Sequence, residues 1–273
     1  MLFRPKTAER DFTPDRLPQN RREIFFDVCR LHTRKLLLCG VILLLFALPM
    51  HLTAIVKDVA MLTLDAGGGL TAAALNRLAG VQTAASVVCL LPLSVGAAGV
   101  ARVVKLLAWE ENTYVGSDFG LGVRQNTRQY LAMLLLGGIP ALACWYVLQA
   151  QSASPIAWLT AAACLLVLAP LCAYMGVCAA VYQVRFSQLV RYAAILYGKN
   201  IFPTLLACLV CALPYLVQCV PNLLCHAAGR VISTLLTPTV MLGWFLFSFD
   251  RLDVCINRDW FPELVGRGIG QNL

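Results

Sequence analysis

The chain alternates long apolar stretches with short polar segments. Six of the apolar stretches contain no Asp, Glu, Lys or Arg, and they span residues 36–56, 81–101, 130–150, 156–182, 201–222 and 231–249. At about 1.5 Å of rise per residue, a helix through each stretch is long enough to cross the ~30 Å hydrocarbon layer of a bilayer. The pattern therefore predicts an all-α integral membrane protein, built as a bundle of about six transmembrane helices.

Each of the six stretches contains a proline. A proline inside a membrane helix removes one backbone hydrogen bond and bends the helix, so we expect proline-kinked spans. Kinked helices line substrate sites in transporters, but proline is also frequent in membrane helices that only pack. The six prolines are Pro49, Pro92, Pro140, Pro170, Pro214 and Pro238.

Two further segments show helical spacing of apolar residues. The first begins at Arg21 and predicts either an amphipathic interfacial helix or a cytoplasmic extension of the first span. Its apolar positions are Ile24, Phe25, Val28 and Leu31. The second predicts an amphipathic helix over 184–197, which Gly198 ends. Basic residues flank both segments, so we expect the helices to lie along the inner headgroup layer or beneath the bundle.

The remaining segments divide the chain into three parts. Residues 1–20 combine three prolines with mixed charges, which predicts a disordered cytoplasmic leader. We assign residues 21–249 to the six-helix membrane domain and residues 250–273 to a cytoplasmic tail. The segment 57–80 is the only sizeable loop expected on the outside. There we expect a glycine turn at 67–69 between two short interfacial helices.

Composition and charge place this protein in a membrane and orient it. Apolar residues make up 59% of the chain and charged residues 13%, whereas soluble proteins have about a quarter charged residues. If both termini are cytoplasmic, nineteen of the 22 Lys and Arg residues lie inside, and only Lys57, Arg77 and Arg230 lie outside. Basic residues near helix ends resist translocation, so we predict cytoplasmic termini. The net charge of +8 then faces lipid headgroups, and no nucleic-acid partner is predicted.

The twelve cysteines do not predict a disulfide framework, because nine of them lie within the apolar stretches. In a bilayer, cysteine is a small residue that lets helices approach closely. Cys208 and Cys211 have CxxC spacing but no His or acidic neighbour, so no metal or cofactor is predicted there. In the fourth stretch, Cys172, Gly176 and Ala180 form a small-residue ridge, which predicts a face for helix packing.

The segment 102–128 is the most distinctive polar stretch. Ser117 and Asp118 are expected to open the helix that leads into the third apolar stretch, with Ser117 as its N-cap. Glu110, Glu111 and Asp118 are acidic on a face that is otherwise basic. They predict a docking surface for another protein, and the alternative is a plain polar turn between two helices. The docking candidates are Trp109, Glu110, Glu111, Asp118, Phe119 and Asn126.

Three blocks of the chain resemble the YesL-like family of bacterial membrane proteins. They are FFDVCRLHTRKLLLCGVILLLFALPM, then VGAAGVARVVKLLAWEEN followed by SDFGLGVRQNTRQ, and finally FDRLDVCINRDWFPELVGRGI. Asp118, Phe119 and Asn126 form the best-matching short motif, whereas 57–80 separates blocks that lie close together in shorter members. No molecular activity is established for that family. The resemblance implies a bacterial plasma-membrane protein that accompanies carbohydrate importers.

Two functional hypotheses follow. The first is a non-enzymatic accessory or scaffolding subunit for ABC-type oligosaccharide uptake, which would bind the membrane subunits of the importer and use 107–128 and 184–197 as its cytoplasmic contacts. The alternative is a stand-alone transporter of a small neutral substrate. A coupled transporter normally buries charged groups in its spans, and the six stretches contain none, which favours the accessory subunit. The sequence shows no converging set of reactive His, acidic or Cys groups, so it does not predict an enzyme.

Overall fold

The computed structural model describes residues 18, 20–69, 71–149, 154–215 and 223–269. Every regular element in these ranges is helical, so the prediction of an all-α membrane bundle is confirmed. The α-helices are α1 (Arg21–Leu31), α2 (Thr33–Ala66), α3 (Ala72–Ala108), α4 (Val115–Gln149), α5 (Pro155–Ala163), α6 (Ala169–Val181), α7 (Phe186–Lys199), α8 (Ile201–Ala212), α9 (Leu223–Leu252) and α10 (Arg258–Trp260). Most of the predicted leader, 1–20, lies outside the described residues.

Two π-helical turns join neighbouring helices into longer segments. Cys164–Leu168 connects α5 to α6, and Asp253–Asn257 connects α9 to α10. Pro170 follows the first of these turns, and Pro214 lies in a short turn after α8. The other four prolines named above lie inside helices; they are Pro49, Pro92, Pro140 and Pro238.

Five helical segments are long and apolar enough to cross a bilayer. They are Thr33–Ala66, Ala72–Ala108, Val115–Val147, Pro155–Val181 and Cys225–Trp260. A sixth candidate is the bent pair, which we define as Phe186–Lys199 followed by Ile201–Tyr215 at an angle of 101°. The predicted span over 201–222 is therefore described as helix only as far as Tyr215, and residues 216–222 lie outside the described ranges.

The two ends of the described chain meet at one end of the bundle. Nη2 of Arg21, at the start of α1, lies 2.9 Å from Oδ2 of Asp253, just beyond α9. Nη1 of Arg21 also donates to the backbone carbonyl of Arg267, at 2.5 Å. A chain whose ends meet on one side of a membrane crosses that membrane an even number of times. Five crossings would separate the ends, whereas the five segments together with the bent pair give an even number.

The segment 57–80 is more regular than the sequence led us to expect. Helix α2 continues past the apolar stretch to Ala66, and α3 begins at Ala72, so both spans extend directly into this segment. The turn between them uses Gly68, whose φ of +67° is a left-handed conformation that favours glycine. The hydroxyl of Thr71 caps the first turn of α3. The expected pair of separate interfacial helices is therefore replaced by a helical hairpin.

The packed core occupies the end of the bundle where the chain ends meet. Its fully buried residues come from six helices and include Ile24, Cys39, Val104, Tyr174, Leu196 and Leu252. Glycines permit the closest approaches between helices. A Cβ on Gly40 of α2 would lie 2.5 Å from the backbone oxygen of Leu235 in α9. Small residues at such crossings increase van der Waals contact, which is the main attraction between helices in lipid.

Both predicted amphipathic helices are present. Helix α1 is separate from α2, because His32 between them leaves the helical conformation, and α1 buries Ile24 and Val28. Helix α7 covers Phe186–Lys199 and buries one face against the core, with the residues Leu189, Tyr192, Ala193 and Leu196. Since this apolar face is already covered within the chain, only the polar face of α7 remains available for a partner.

Candidate functional site

Three segments of the chain are tied together where its ends meet. We call the residues that join them the terminal cluster: Arg21, Trp109, Glu111, Asp253 and Arg267. Arg21 binds Asp253, as described above, and Nη2 of Arg267 lies 2.9 Å from Oε1 of Glu111. The guanidinium of Arg267 also lies 4.4 Å from the centroid of the Trp109 ring. The cluster thereby connects α1, the α3–α4 connection and the C-terminal tail.

Trp109 is the aromatic centre of this cluster. Besides Arg267, the ammonium of Lys105 lies 4.7 Å from its ring centroid, and the Phe249 ring lies 5.9 Å away. Cations over an indole face are attracted to its quadrupole. The tail approaches so closely that a Cβ on Gly268 would lie 2.9 Å from the carbonyl oxygen of Ala108, and Gly268 has a φ of +84°. The predicted docking residue Trp109 is thus an internal contact for the tail.

Arg21 is a buried member of the terminal cluster that the sequence did not single out. Its side chain is only 6% exposed and also lies 3.5 Å from the Asp250 carboxylate. The guanidinium stands 5.5 Å from the Phe249 ring centroid. A signal was present in the sequence, because Arg21 shares its helical face with Ile24 and Val28 at spacings of three and seven. That spacing placed one arginine on the buried side of α1.

The other acidic candidates differ in their surroundings. Oδ2 of Asp118 accepts the backbone N–H of Tyr114 at 2.8 Å, and so holds the start of α4. Helix α4 consequently begins at Val115, so Ser117 lies in its first turn and not at its N-cap. Glu110 is exposed, in a left-handed conformation with a φ of 56°. Partial desolvation and the nearby Asp27 carboxylate raise its pKa.

Phe119 and Asn126 point towards the bundle. The Phe119 ring lies against α3 so closely that a Cβ on Gly99 would come within 2.3 Å of it, and its centroid is 5.9 Å from that of Phe46. Asn126 is buried. The structure therefore brings Trp109 and Glu111 together with the tail and places Phe119 and Asn126 in helix packing. Of the six docking candidates, Glu110 is the one whose side chain is classed as exposed.

The small-residue ridge of α6 lies against α4. The hydroxyl of Tyr130 donates to the carbonyl oxygen of Gly176 at 2.7 Å. A Cβ on Gly137 would lie 2.5 Å from Sγ of Cys172, so these helices cross where both carry small groups. Ala180 is buried in the same interface region of α6. The predicted ridge is thus placed between two helices of one chain.

A cavity of about 440 Å³ lies between α3, α4, α6, α8 and α9. Cys208 and Cys211, the pair with CxxC spacing, are among its lining residues. Cys208 and Cys211 are free thiols, and no group of three or more His, Cys, Asp or Glu side chains suited to a metal occurs in the described ranges. The two cysteines therefore contribute apolar volume to the wall of a cavity.

The opposite end of the bundle contains an ion pair that the sequence analysis did not anticipate. Nη2 of Arg230 in α9 lies 2.9 Å from Oδ2 of Asp58 in α2, and both side chains are largely buried. Nε2 of His51 is 2.9 Å from the hydroxyl of Thr234, which joins the same two helices one to two turns deeper. The sequence placed Asp58 in a loop. In the structure α2 continues past the apolar stretch, and this extension brings Asp58 to Arg230.

These features define a class of protein, a multi-pass helical membrane protein whose first and last described segments are held together at one end of the bundle. Comparison with known proteins does not narrow this class further. No family model, no curated protein and no solved structure matches the chain.

Proposed function

We propose that this protein is a non-enzymatic accessory subunit that docks a partner on the cytoplasmic end of its bundle. The observation that supports this proposal is the shape of the α3–α4 hairpin. Helix α4 begins fifteen residues before the apolar stretch at 130, so about 22 Å of helix with polar residues precedes that stretch. This segment, which we call the α4 projection, offers a partner a preformed surface.

The projecting part of α4 is held firmly against α3. A Cβ on Gly122 would lie 2.7 Å from Cβ of Arg102, and Nη1 of Arg102 donates to Oε1 of Gln125 at 2.6 Å. On the opposite side, α4 presents a stripe at helical spacing, which we call the α4 stripe. Its exposed members are Tyr114, Ser117, Leu121, Arg124 and Arg128. The stripe combines apolar and cationic side chains, which suits an acidic, partly apolar partner surface.

We assign the projection to the cytoplasm of a bacterial cell. The support for this orientation is the 19:3 distribution of basic residues, together with the even number of crossings that the joined chain ends require. From the resemblance of the sequence blocks, we propose that the partner is the membrane part or the ATP-hydrolysing part of an oligosaccharide importer.

The transporter alternative receives less support from the cavity. None of the described residues that line the cavity is charged, and the hydroxyls of Tyr130, Tyr215 and Thr237 are already engaged in hydrogen bonds within the bundle. A sugar or another neutral polar substrate needs several free donors and acceptors to replace its hydration. The buried ion pair of Asp58 and Arg230 lies at the far end of the bundle and not at the cavity.

The docking proposal is tested by removing the apolar members of the α4 stripe. We expect Tyr114→Ala combined with Leu121→Ala to reduce copurification of importer subunits in mild detergent at least tenfold, because exposed aromatic and aliphatic anchors dominate such interfaces. Both side chains are exposed and touch no member of the terminal cluster, so folding should be unaffected. Quantitative mass spectrometry of the purified complex measures the effect.

The matched control is Phe26→Ala combined with Leu31→Ala, two exposed apolar residues of α1 at the same end of the bundle. This pair should leave copurification unchanged. Equal loss of the partner in both double variants would show a general surface effect and would remove the assignment to α4. Importer subunits that bind the stripe variant at wild-type strength would also contradict the proposal.

A further inference from the structure

The position of the cavity beside α8 determines which molecules can reach it. Its walls belong to membrane-crossing segments, and they include Ala97, Met133, Ala173, Cys208 and Val240. Along these helices the lining positions all fall within the apolar stretches that are expected to cross the bilayer. The medium around the bundle at that depth is hydrocarbon, so hydrocarbon is the fluid that has direct access to the cavity.

The cavity wall has few free groups with which a water molecule could form hydrogen bonds. A buried water needs two to four polar partners. The hydroxyl of Tyr130 already donates to the Gly176 carbonyl, and the hydroxyls of Tyr215 and Thr237 lie 2.9 Å apart and bind each other. The Nε1–H of Trp244 has no partner among the described residues, and it gives a water molecule a single donor. An apolar cavity without such partners stays dry and takes apolar molecules.

Leaving the cavity empty is also unfavourable. Lining atoms that face a void lose their dispersion contacts, and protein interiors have few voids larger than a water molecule. A volume of about 440 Å³ is well above that size and lies within the range of ligand-binding cavities. The side chains around it are held by other contacts, since Gly176 and Cys172 fix α6 against α4 and close that route to collapse.

Helix α8 buries few residues against the rest of the protein. Of its residues Ile201–Ala212, only Thr204 is buried, where its hydroxyl lies 2.8 Å from that of Tyr174. Cys208 and Cys211 line the cavity and are only partly buried against the core. Beyond Thr204, α8 therefore borders the cavity, and direct hydrogen bonds to α9 come just after its end, where the hydroxyl of Tyr215 lies 2.9 Å from that of Thr237.

We propose that the cavity binds one acyl chain of a bilayer phospholipid, and that this chain packs α8 onto α6 and α9. Phospholipid acyl chains surround the cavity at its own depth and at very high local concentration. Binding is through dispersion and hydrophobic contact along the chain, without a polar anchor. This site is independent of the docking surface on α4 and of any importer.

The experiment uses a phosphatidylglycerol or phosphatidylethanolamine with a photoreactive diazirine in the acyl chain, added to membranes that contain the full-length protein. We expect crosslinks in the peptides that carry 169–177 and 237–245. Ala173→Phe fills the cavity and should reduce those crosslinks at least fivefold. The matched control, Ala162→Phe, adds the same bulk at an exposed position of the same span and should leave them unchanged.

A second variant, Val240→Phe, fills the cavity from α9 and keeps the test valid if Ala173→Phe does not fold. Thiol reactivity gives an independent readout. Removal of lipid by extensive detergent exchange should increase the reaction of Cys208 and Cys211 with a small apolar maleimide several-fold, while buried Cys39, which lies outside the cavity, should not change. Crosslinks confined to outward-facing residues, at equal yield in all variants, would show annular lipid only and overturn the proposal.

Discussion

Replacement of Arg21 by alanine is expected to lower the free energy of unfolding by about 3–5 kcal/mol, the usual cost of removing one partner from a buried ion pair. The guanidinium is almost fully buried, and it binds the Asp253 carboxylate and the Arg267 carbonyl. Without it, the Asp253 carboxylate remains largely buried and has lost its cation. The terminal cluster should therefore open, and the C-terminal tail should detach.

Thermal unfolding of the purified protein in detergent measures this loss. Arg22→Ala is the matched control, because Arg22 is the adjacent basic residue of α1 and its side chain is exposed. It removes the same charge and should change the free energy of unfolding by less than about 1 kcal/mol. If the two variants melt at the same temperature, the buried Arg21 pair does not stabilise the fold in the way described.

The second large effect is expected at the crossing of α2 and α9. In Gly40→Ala, the new Cβ would lie 2.5 Å from the backbone oxygen of Leu235 and 3.0 Å from its Cα. Backbone atoms cannot rotate away as a side chain can, so the two helices must separate. We expect a loss of about 1–3 kcal/mol, as for other overpacked sites, and a clear fall in folded yield.

Gly116→Ala provides the control for this change. Gly116 is also a helical glycine, but a Cβ there would have no heavy atom within 4 Å. Since alanine favours helix more than glycine, this variant should be neutral or more stable by up to about 1 kcal/mol. Opposite signs for the two substitutions would support the crossing. A Gly40→Ala protein as stable as the wild type would show that α2 and α9 do not approach so closely.

The helical bundle could be predicted from the sequence because its signal is local. A stretch without charges, such as 36–56, indicates by its own composition that it lies in hydrocarbon. In hydrocarbon a single segment must satisfy its own backbone hydrogen bonds, which an α-helix does. The bounds were less accurate, since polarity marks the edge of the hydrocarbon and not the end of the helix. Helix α2 continues ten residues past 56, where Asp58 meets Arg230 of α9.

The candidate site could be predicted only in part, because it is formed by contacts between residues that are far apart in the sequence. Glu111 is acidic in a basic region, and this feature identified it as a docking residue. Its partner, Arg267, is more than 150 positions away, and no local pattern links the two. The same limit applies to Arg21 and Asp253. Asp118 was assigned correctly to the start of a helix, because its contact with Tyr114 lies within one turn.

We expect a bundle with an even number of crossings, in which α1 and the C-terminal tail meet on the cytoplasmic side. Single cysteines introduced into a cysteine-free variant test it most directly, at Arg22 in α1, Gly120 in the α4 projection and Ala66 at the α2–α3 turn. All three positions are exposed. In intact cells, a membrane-impermeant maleimide should label Ala66→Cys alone, and Arg22→Cys and Gly120→Cys should react only after permeabilisation. Labelling of Arg22→Cys or Gly120→Cys in intact cells would contradict this account.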